Sequence, residues 1–217
     1  LDFFASELIV LLGASGSGKS TLLNQLGGLD SPTHGTLLYR GWDLGSADEV
    51  GLTNFRRDAV GFVFQAYNLI PSLTARENVA LITEICADPM EPEEALHLVG
   101  LSERMDHFPA QLSGGEQQRV SIARALIKNA PVLLLDDCLS AVDTETEETI
   151  LNNLLDYCKD KTTIIVSHRV SSAKNADWII ILDEGKILEQ GTHSQLLDLN
   201  GYYKELYLKQ LSEKEID

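Results

Sequence analysis

The feature that most constrains the fold of this chain is the segment GASGSGKS at residues 13–20. It follows a short apolar run at residues 7–12, whose length and β-branched content favour a buried strand. The leucines after Lys19 recur at helical spacing until Gly27 and Gly28, which can cap the end of a helix. The chain therefore opens with a strand, a glycine-rich loop and a helix.

This segment fits G-x-x-x-x-G-K-[ST] in the strand–loop–helix setting that a phosphate-binding loop requires, and both flanking elements disfavour a merely flexible Gly/Ser turn. Glycines let backbone N–H groups turn inward around a phosphate, and the helix N-terminus adds positive potential. Lys19 can neutralise β- and γ-phosphates, and Ser20 can offer a hydroxyl to Mg²⁺. The predicted nucleotide-binding residues of the loop are Gly13, Ser15, Gly16, Ser17, Gly18, Lys19, Ser20 and Thr21.

Short apolar runs alternate with helical patterns along the rest of the chain. Strands are predicted at residues 36–39, 60–64, 132–135, 162–166 and 178–182, and helices at residues 74–87, 91–100, 113–129 and 144–159. Such alternation is typical of a parallel α/β sheet that is covered on both faces. We expect one domain over residues 1–217, with a mostly parallel sheet core and a helical subdomain inserted at about residues 70–128.

The predicted strand at residues 132–135 runs directly into two carboxylates, Asp136 and Asp137. An apolar run that ends in Asp is also common as a solvated strand end. Beside a phosphate-binding loop, however, such a carboxylate is placed to hold Mg²⁺ directly or through water, and this favours Asp136 as a metal ligand. Asp137 can reach an attacking water if the strand end faces the γ-phosphate.

Charge and composition exclude several classes of partner. The formal net charge is −16, which argues against a broad nucleic-acid or anionic-lipid surface, because phosphate backbones need clustered Lys and Arg. No apolar run reaches the roughly 18 residues that a membrane span needs, so we expect no direct membrane insertion. The three cysteines, Cys86, Cys138 and Cys158, show no metal-type pairing and favour a reducing, cytosolic compartment.

The segment LSGGEQQR at residues 112–119 lies between the glycine-rich loop and the LLLDD strand. In this order the motifs resemble those of the ATP-binding cassette (ABC) ATPases. Ser113, Gly114 and Gly115 open a predicted helix whose N-terminus can meet a γ-phosphate, although the same residues with Glu116 also fit an ordinary capping box. The resemblance implies a head-to-tail dimer in which residues 113–116 contact the ATP held by a second ABC domain.

The other motifs of the family can be placed on single residues. Gln65 matches the glutamine that touches Mg²⁺ or water and links the helical subdomain to the nucleotide. Residues 140–143 match the segment that crosses the dimer interface, and His168 matches the switch histidine that contacts the γ-phosphate. A polar strand end, a helix N-cap and a structural histidine are the plainer interpretations. The resemblance implies ATP and Mg²⁺, with Asp137, His168 and Gln65 catalytic, and Ser20, Gln65 and Asp136 at the metal.

Two departures from the family pattern carry expectations of their own. Asp137 stands where the family usually has Glu, and a shortfall of about 1 Å in a positioned base can cost about 100-fold in rate. We therefore expect ATP binding with weakened hydrolysis, as in the degenerate site of heterodimeric exporters; the alternative is an ATP-gated dimerisation module with negligible turnover. In the family, the aromatic residue that stacks on adenine lies on a strand upstream of the glycine-rich loop. Only twelve residues precede Gly13 here, and we expect Phe3 and Phe4 to pack in the core rather than to stack on adenine.

The resemblance implies an ATP-binding and ATP-hydrolysing subunit of an ABC transporter, cytoplasmic and peripheral on the inner face of the plasma membrane. Its partners would be a second ABC domain, identical or not, and transmembrane transporter subunits, with no nucleic acid. A cassette ATPase of DNA repair or translation is disfavoured because the chain lacks a basic face and a long coiled-coil insertion. Residues up to about 130 resemble lipoprotein-release and macrolide-export ATPases, whereas later residues resemble exporters with fused membrane domains, which raises the hypothesis of a chimera.

Overall fold

Strands and helices alternate along the chain in the computed structural model, which describes residues 1–138, 153, 154 and 156–214. In chain order the elements are β1 (Leu8–Leu12), α1 (Lys19–Leu26), β2 (Leu38–Tyr39), β3 (Trp42–Asp43), α2 (Glu49–Asp58), β4 (Val60–Val63), α3 (Ala75–Ala80), α4 (Pro92–Leu98), α5 (Gly114–Leu126), β5 (Val132–Asp136), β6 (Thr162–Val166), α6 (Val170–Ala173), β7 (Trp178–Asp183), β8 (Lys186–Gly191), α7 (His193–Leu199) and α8 (Tyr202–Lys214). Short 3₁₀ helices lie at Leu44–Ser46, Thr83–Ile85, Ser102–Arg104 and Pro109–Gln111.

The main sheet has the strand order β4-β5-β6-β1-β7-β8, and all neighbours are parallel except β7 and β8. Strand β1 lies inside the sheet, with Leu8 opposite Thr163 of β6 and Ile9 opposite Trp178 of β7. The parallel strands end at one common edge, where β1, β5 and β6 lead into the glycine-rich loop, Asp137 and His168. The predicted mostly parallel α/β sheet is confirmed.

Alternate residues of β1 enter two separate hydrophobic cores, as the two-residue period of a strand dictates. Val10 and Leu12 face the core shared with α3, α4 and α5, whereas Ile9 and Leu11 face the core shared with α1 and α2. All four side chains are fully buried. Burying a side chain of this size contributes about 1.5–3 kcal/mol, so β1 is fixed from both faces and holds the loop that follows it.

The helix predicted at residues 74–87 is shorter in the structure, which is a correction. Helix α3 begins with a capping box: Glu77 N–H donates to Thr74 Oγ1 over 3.2 Å, and Thr74 N–H donates to Glu77 Oε2 over 2.8 Å. It ends at Ala80, where Thr83 Oγ1 donates to the Ala80 carbonyl oxygen over 2.7 Å. A hydroxyl that bonds a helical carbonyl competes with the backbone ladder, and the chain continues as a 3₁₀ turn.

The strand predicted at residues 36–39 is also shorter, because only Leu38 and Tyr39 pair, antiparallel with Trp42 and Asp43. The two-residue turn between them has positive φ at both positions, which suits a tight hairpin rather than a strand of the main sheet. The sequence analysis did not predict β3, α2, α6, β8, α7 or α8. The helix predicted at residues 144–159 lies mostly outside the described residues; of its span, residues 153, 154, 156 and 157 are helical.

A buried asparagine fastens the loop between β4 and α3. Asn78 is fully buried, accepts from the Ile70 N–H over 2.7 Å, and donates to the carbonyl oxygens of Ile70, Leu73 and Thr74 over 3.0–3.1 Å. Replacing it by Ala leaves these buried groups without a partner, which typically costs about 1–3 kcal/mol. We expect Asn78→Ala to lower the free energy of unfolding in urea by about 2 kcal/mol.

Asn54→Ala is the matched control, because Asn54 is exposed on α2. It should stay within about 0.5 kcal/mol of the parent. Equal stability of Asn78→Ala and the parent would show that the loop does not depend on this side chain.

Candidate functional site

The glycine-rich loop at the end of β1 closes around the ammonium group of Lys19. Gly18 has φ 98° and forms the N-cap of α1, a left-handed conformation that suits glycine. Lys19 is 5% exposed, and its Nζ donates to the carbonyl oxygens of Gly13 over 2.9 Å and Ala14 over 2.7 Å. A Cβ at Gly13 would overlap the carbonyl oxygen of Leu182, so the loop also needs glycine where it approaches β7. The loop therefore presents a buried cation at a helix N-terminus.

Burial lowers the pKa of Lys19, while the charges of Asp136 and Asp137 act in the opposite direction and raise it. These two carboxylates lie at the end of the neighbouring strand β5. The charges of the site therefore face one another across the edge of the sheet.

A cavity of about 230 Å³ lies at this edge and gathers most of the predicted site residues. Its lining consists of Ser15, Gly16, Gly18, Lys19, Ser20, Thr21, Gln65, Asp136, Asp137, Val166 and His168. The residues come from the ends of four strands and from the start of α1. Gly13 and Ser17 lie beneath the lining, where they contact Lys19 Nζ over 2.9 Å and 3.3 Å.

Two oxygen-bearing side chains meet in the cavity at a distance suited to a shared cation. Ser20 Oγ donates to Asp136 Oδ1 over 3.0 Å. Burial raises the pKa of Asp136, the Ser20 hydrogen bond lowers it, and the charge of Asp137 raises it further. Hydroxyl, carboxylate and amide oxygens are the ligands that Mg²⁺ prefers. A divalent cation would also offset the repulsion between the negative charges of Asp136 and Asp137. Ser20, Asp136 and the amide of Gln65 therefore fit Mg²⁺.

Asp137 leaves the sheet with a backbone that is unusual for a residue other than glycine. Its φ is 45°, its N–H donates to the Val166 carbonyl oxygen over 3.1 Å, and its carbonyl oxygen accepts from Gln118 Nε2 over 3.4 Å. Gln118 is 1% exposed and belongs to α5. The left-handed turn brings the Asp137 carboxylate into the cavity lining, and such strain clusters at functional sites.

The loop after Gln65 is held by helix α5 rather than by the sheet. Arg124 donates through its two terminal nitrogens to the carbonyl oxygens of Asn68 over 2.6 Å and Tyr67 over 3.2 Å. Since Asn78 fastens the later part of the same loop, Gln65 is joined at once to the cavity and to the helices between β4 and β5.

Residues 113–116 lie at the start of α5 and do not line the cavity. The predicted capping box is confirmed: Ser113 N–H donates to Glu116 Oε2 over 2.8 Å, and Glu116 N–H donates to Ser113 Oγ over 3.3 Å. The backbone hydrogen bond from Ser113 lowers the pKa of Glu116, whose carboxylate also pairs with Arg104 over 3.2 Å. Ser113 and Gly114 are exposed and Gly115 is partly exposed, so a second molecule can reach them.

The structure corrects the expectation that Phe3 and Phe4 both pack in the core. Phe3 is partly buried against the core of α1 and α2, but Phe4 is 64% exposed. Both line a separate cavity of about 720 Å³ between α1, the β2–β3 hairpin and the first residues of the chain, away from the cavity around Lys19. The predicted interface segment at residues 140–143 lies outside the described residues.

Sequence reasoning missed Gln118 and Gln210, the latter a residue of α8 that bonds the loop carrying His168. Gln118 lies within LSGGEQQR, but nothing in that motif indicates its contact with Asp137, and Gln210 belongs to no motif. The hydrogen bonds of Gln210 join residues about forty positions apart, so only the fold reveals them.

Comparison with known proteins agrees with this geometry. The family model described as ABC transporter matches residues 1–140. The macrolide export ATP-binding/permease protein MacB of Brucella melitensis is 41% identical over 198 residues, which cover 88% of this chain and 31% of that protein. An uncharacterized ABC transporter ATP-binding protein of Mycobacterium tuberculosis is 40% identical over 86% of this chain and 78% of its own length. The chain thus spans about a third of the MacB relative.

Solved structures give the same picture. A dimeric structure of a post-hydrolysis state of the ATP-binding cassette MJ0796 bound to ADP and Pi has a TM-score of 0.82 and 39% identity, covering 88% of each chain. A bacterial Atm1-family ABC exporter with ATP bound has a TM-score of 0.86 and 33% identity, covering 97% of this chain and 38% of the exporter. In the part of the chain that the structure describes, no helix is both long and apolar enough to cross a membrane.

Proposed function

This chain belongs to the ABC transporter family, and from that premise we propose that it binds Mg-ATP in the cavity around Lys19 and hydrolyses it to drive a membrane transporter. One observation carries the proposal: the cavity brings Lys19, Ser20, Asp136, Asp137 and His168 together, although they come from three distant parts of the sequence. Phosphoryl transfer requires a phosphate-binding loop, oxygen ligands for a metal ion and a carboxylate that polarises the attacking water.

Each residue has a distinct part in the proposed reaction, in which water attacks the γ-phosphorus and ADP leaves. Lys19 and the backbone N–H groups of the loop stabilise the charge on the transferring phosphate. Ser20, Gln65 and Asp136 hold Mg²⁺, which when bound neutralises phosphate charge. Asp137 polarises the attacking water and can accept its proton.

His168 contacts the γ-phosphate in this proposal and distinguishes ATP from ADP. Its side chain is exposed, lines the cavity beside Asp136 and follows the buried strand β6. Hydrolysis releases the γ-phosphate, so a ring nitrogen that contacts this phosphate would lose its hydrogen-bond partner.

We propose that the active form is a head-to-tail dimer, homomeric or heteromeric. The capped N-terminus of α5, with Ser113 and Gly115, would contact the γ-phosphate bound by the partner, because a helix N-terminus with free N–H groups attracts anions. In support, this N-terminus is exposed and lies outside the cavity of its own chain. The structural relative MJ0796 is dimeric.

The proposed membrane partners would contact the surface near Gln65 and the helical subdomain at about residues 70–128. In support, Arg124 and Asn78 join the Gln65 loop to α3 and α5, so a movement of these helices would move the loop that reaches the cavity. The chain would then lie on the cytoplasmic side of the membrane as a peripheral subunit.

The alignment with MacB of Brucella melitensis covers 88% of this chain and therefore extends across residue 131, near which the resemblance to known families changes. The chain thus belongs to the ABC transporter family whether or not the segments before and after this residue come from one parent protein.

A second candidate function is an ATP-gated dimerisation module with negligible turnover. Asp137 favours it, since a carboxylate one methylene shorter than Glu reaches less far toward a water. The two candidates share ATP binding and differ in phosphate release.

Both candidates can be tested on the purified chain. We expect Mg-ATP to bind, ATP to shift the chain toward dimers in sedimentation, and phosphate release to rise faster than linearly with protein concentration. Chelation of Mg²⁺ should stop phosphate release. Dimers without phosphate release would support the dimerisation module, and the absence of ATP binding would refute both candidates.

A further inference from the structure

A side chain from α8 holds the backbone of the loop that carries His168. Gln210 Nε2 donates to the His168 carbonyl oxygen over 2.8 Å, and Gln210 Oε1 accepts from the Val170 N–H, also over 2.8 Å. The bonded groups flank Arg169, so the amide spans the turn directly after the histidine. Because both ends of the amide are used, it cannot rotate without losing a hydrogen bond.

Other hydrogen bonds of this loop fix a different part of it. Ser167 N–H donates to the Leu11 carbonyl oxygen over 3.1 Å, and Ser167 Oγ accepts from the Arg169 N–H over 3.0 Å. Ser167 Oγ also lies 3.2 Å from Ser172 Oγ. These contacts anchor the start of the loop to β1, whereas the carbonyl of His168 and the N–H of Val170 are held by Gln210.

The backbone of this loop largely sets the direction of the His168 side chain. The imidazole is exposed and lines the cavity around Lys19. Among the described residues, none makes a hydrogen bond to the ring itself. A small rotation of the peptide groups on either side would therefore move the ring relative to the cavity.

Helix α8 is itself firmly attached, so Gln210 reaches the loop from a fixed element. Glu189 of β8 accepts from the N–H groups of Tyr202 over 2.6 Å and Tyr203 over 3.1 Å, at the start of the helix. Tyr203 is fully buried, and its hydroxyl lies 2.6 Å from His193 Nδ1 of α7. The position of α8 is thus set by β8 and α7, outside the cavity around Lys19.

We propose that Gln210 is a positioning residue for His168, through which α8 sets where the histidine meets the γ-phosphate. The inference rests on the proposed function, because His168 has this role only if the cavity binds ATP. Any partner or segment that displaces α8 would then change turnover without touching the nucleotide.

Gln210→Ala tests the proposal on the full chain. We expect kcat for ATP hydrolysis to fall about tenfold, because displacing a positioned group by about 1 Å costs up to 100-fold, while KM for ATP changes less than about twofold. Gln210→Glu should show the same loss: its carboxylate can still accept from Val170 but cannot donate to the His168 carbonyl oxygen. Lys209→Ala, an exposed neighbour on α8, is the control and should keep the parental kcat.

The decisive comparison repeats Gln210→Ala in a His168→Ala background. If Gln210 acts through His168, the second substitution should cause no further loss, since residues that act as one unit are not additive. The same tenfold loss in both backgrounds, or an unchanged kcat in the single variant, overturns the proposal.

A nuclear magnetic resonance measurement separates this inference from the proposed function. The His168 imidazole signals, identified by their loss in His168→Ala, should shift and sharpen in Gln210→Ala even without nucleotide. Unchanged imidazole signals overturn the role of Gln210. A parent chain that binds no Mg-ATP refutes the proposed function, and the imidazole signals still decide whether Gln210 positions the ring.

Discussion

Lys19→Ala is expected to raise the Kd for Mg-ATP about 1000-fold and to abolish measurable phosphate release. Truncating one member of a buried charge pair costs about 2–5 kcal/mol, and about 4 kcal/mol corresponds to 1000-fold in Kd. The Lys19 ammonium is buried within the loop, where it faces Asp136 and Asp137, so no water-exposed cation can replace it. Calorimetry with Mg-ATP measures the loss directly.

Lys174→Ala is the matched control, because Lys174 is exposed at the end of α6. It removes the same side chain from a surface site and should leave the Kd unchanged. Thermal unfolding without nucleotide should show that both variants fold. An unchanged Kd in folded Lys19→Ala would mean that the nucleotide does not bind at this loop.

Asp137→Glu is expected to raise the rate of phosphate release about 100-fold while the Kd for Mg-ATP stays within about twofold of the parent. The added methylene extends the carboxylate into the cavity from the same backbone position, closer to a water beside the γ-phosphate. The φ of 45° suits Asp better than Glu, so a loss of folding stability of about 1 kcal/mol should accompany the gain. Single-turnover measurements separate the chemical step from product release.

Two further variants test whether the change in rate depends on the carboxylate at position 137. Asp137→Asn keeps the size of the side chain but cannot accept a proton, so it should bind Mg-ATP and release no phosphate. Asp183→Glu makes the same change at an exposed strand end of β7 and should leave the rate as in the parent. If the Glu variant folds, binds Mg-ATP and hydrolyses no faster than the parent, Asp137 is not the residue that limits the rate.

The parts of the fold that the sequence predicted are those with a local physical signal. Strands β1, β5, β6 and β7 are apolar because both of their faces are buried, and the start of α5 is marked by Ser113 and Glu116 three residues apart. The glycine-rich loop needs glycine for its backbone geometry, so it can be recognised from the sequence alone. Helix, strand and loop could therefore be placed before the structure was known.

The parts that sequence analysis missed depend on contacts between distant residues or lack an apolar pattern. Strand β8 is an edge strand with mostly exposed side chains, and its pairing with β7 is what defines it. The early end of α3, at the hydroxyl bond from Thr83 to Ala80, and the left-handed backbone of Asp137 are local features, but neither shows in an apolar pattern. Gln210 reaches the His168 loop only because α8 packs against α6 and α7.

The order of the strands bears on how this chain folds as it is synthesised. Strand β1 is synthesised well before its two neighbours, β6 and β7, which lie more than 150 residues later in the sequence. At about 5–20 residues per second, the apolar segment Leu8–Leu12 stays unpaired for roughly 8–30 s on the ribosome. Such a segment is prone to aggregate while it is exposed. A fragment that stops before residue 162 would leave β1 without either of its partner strands.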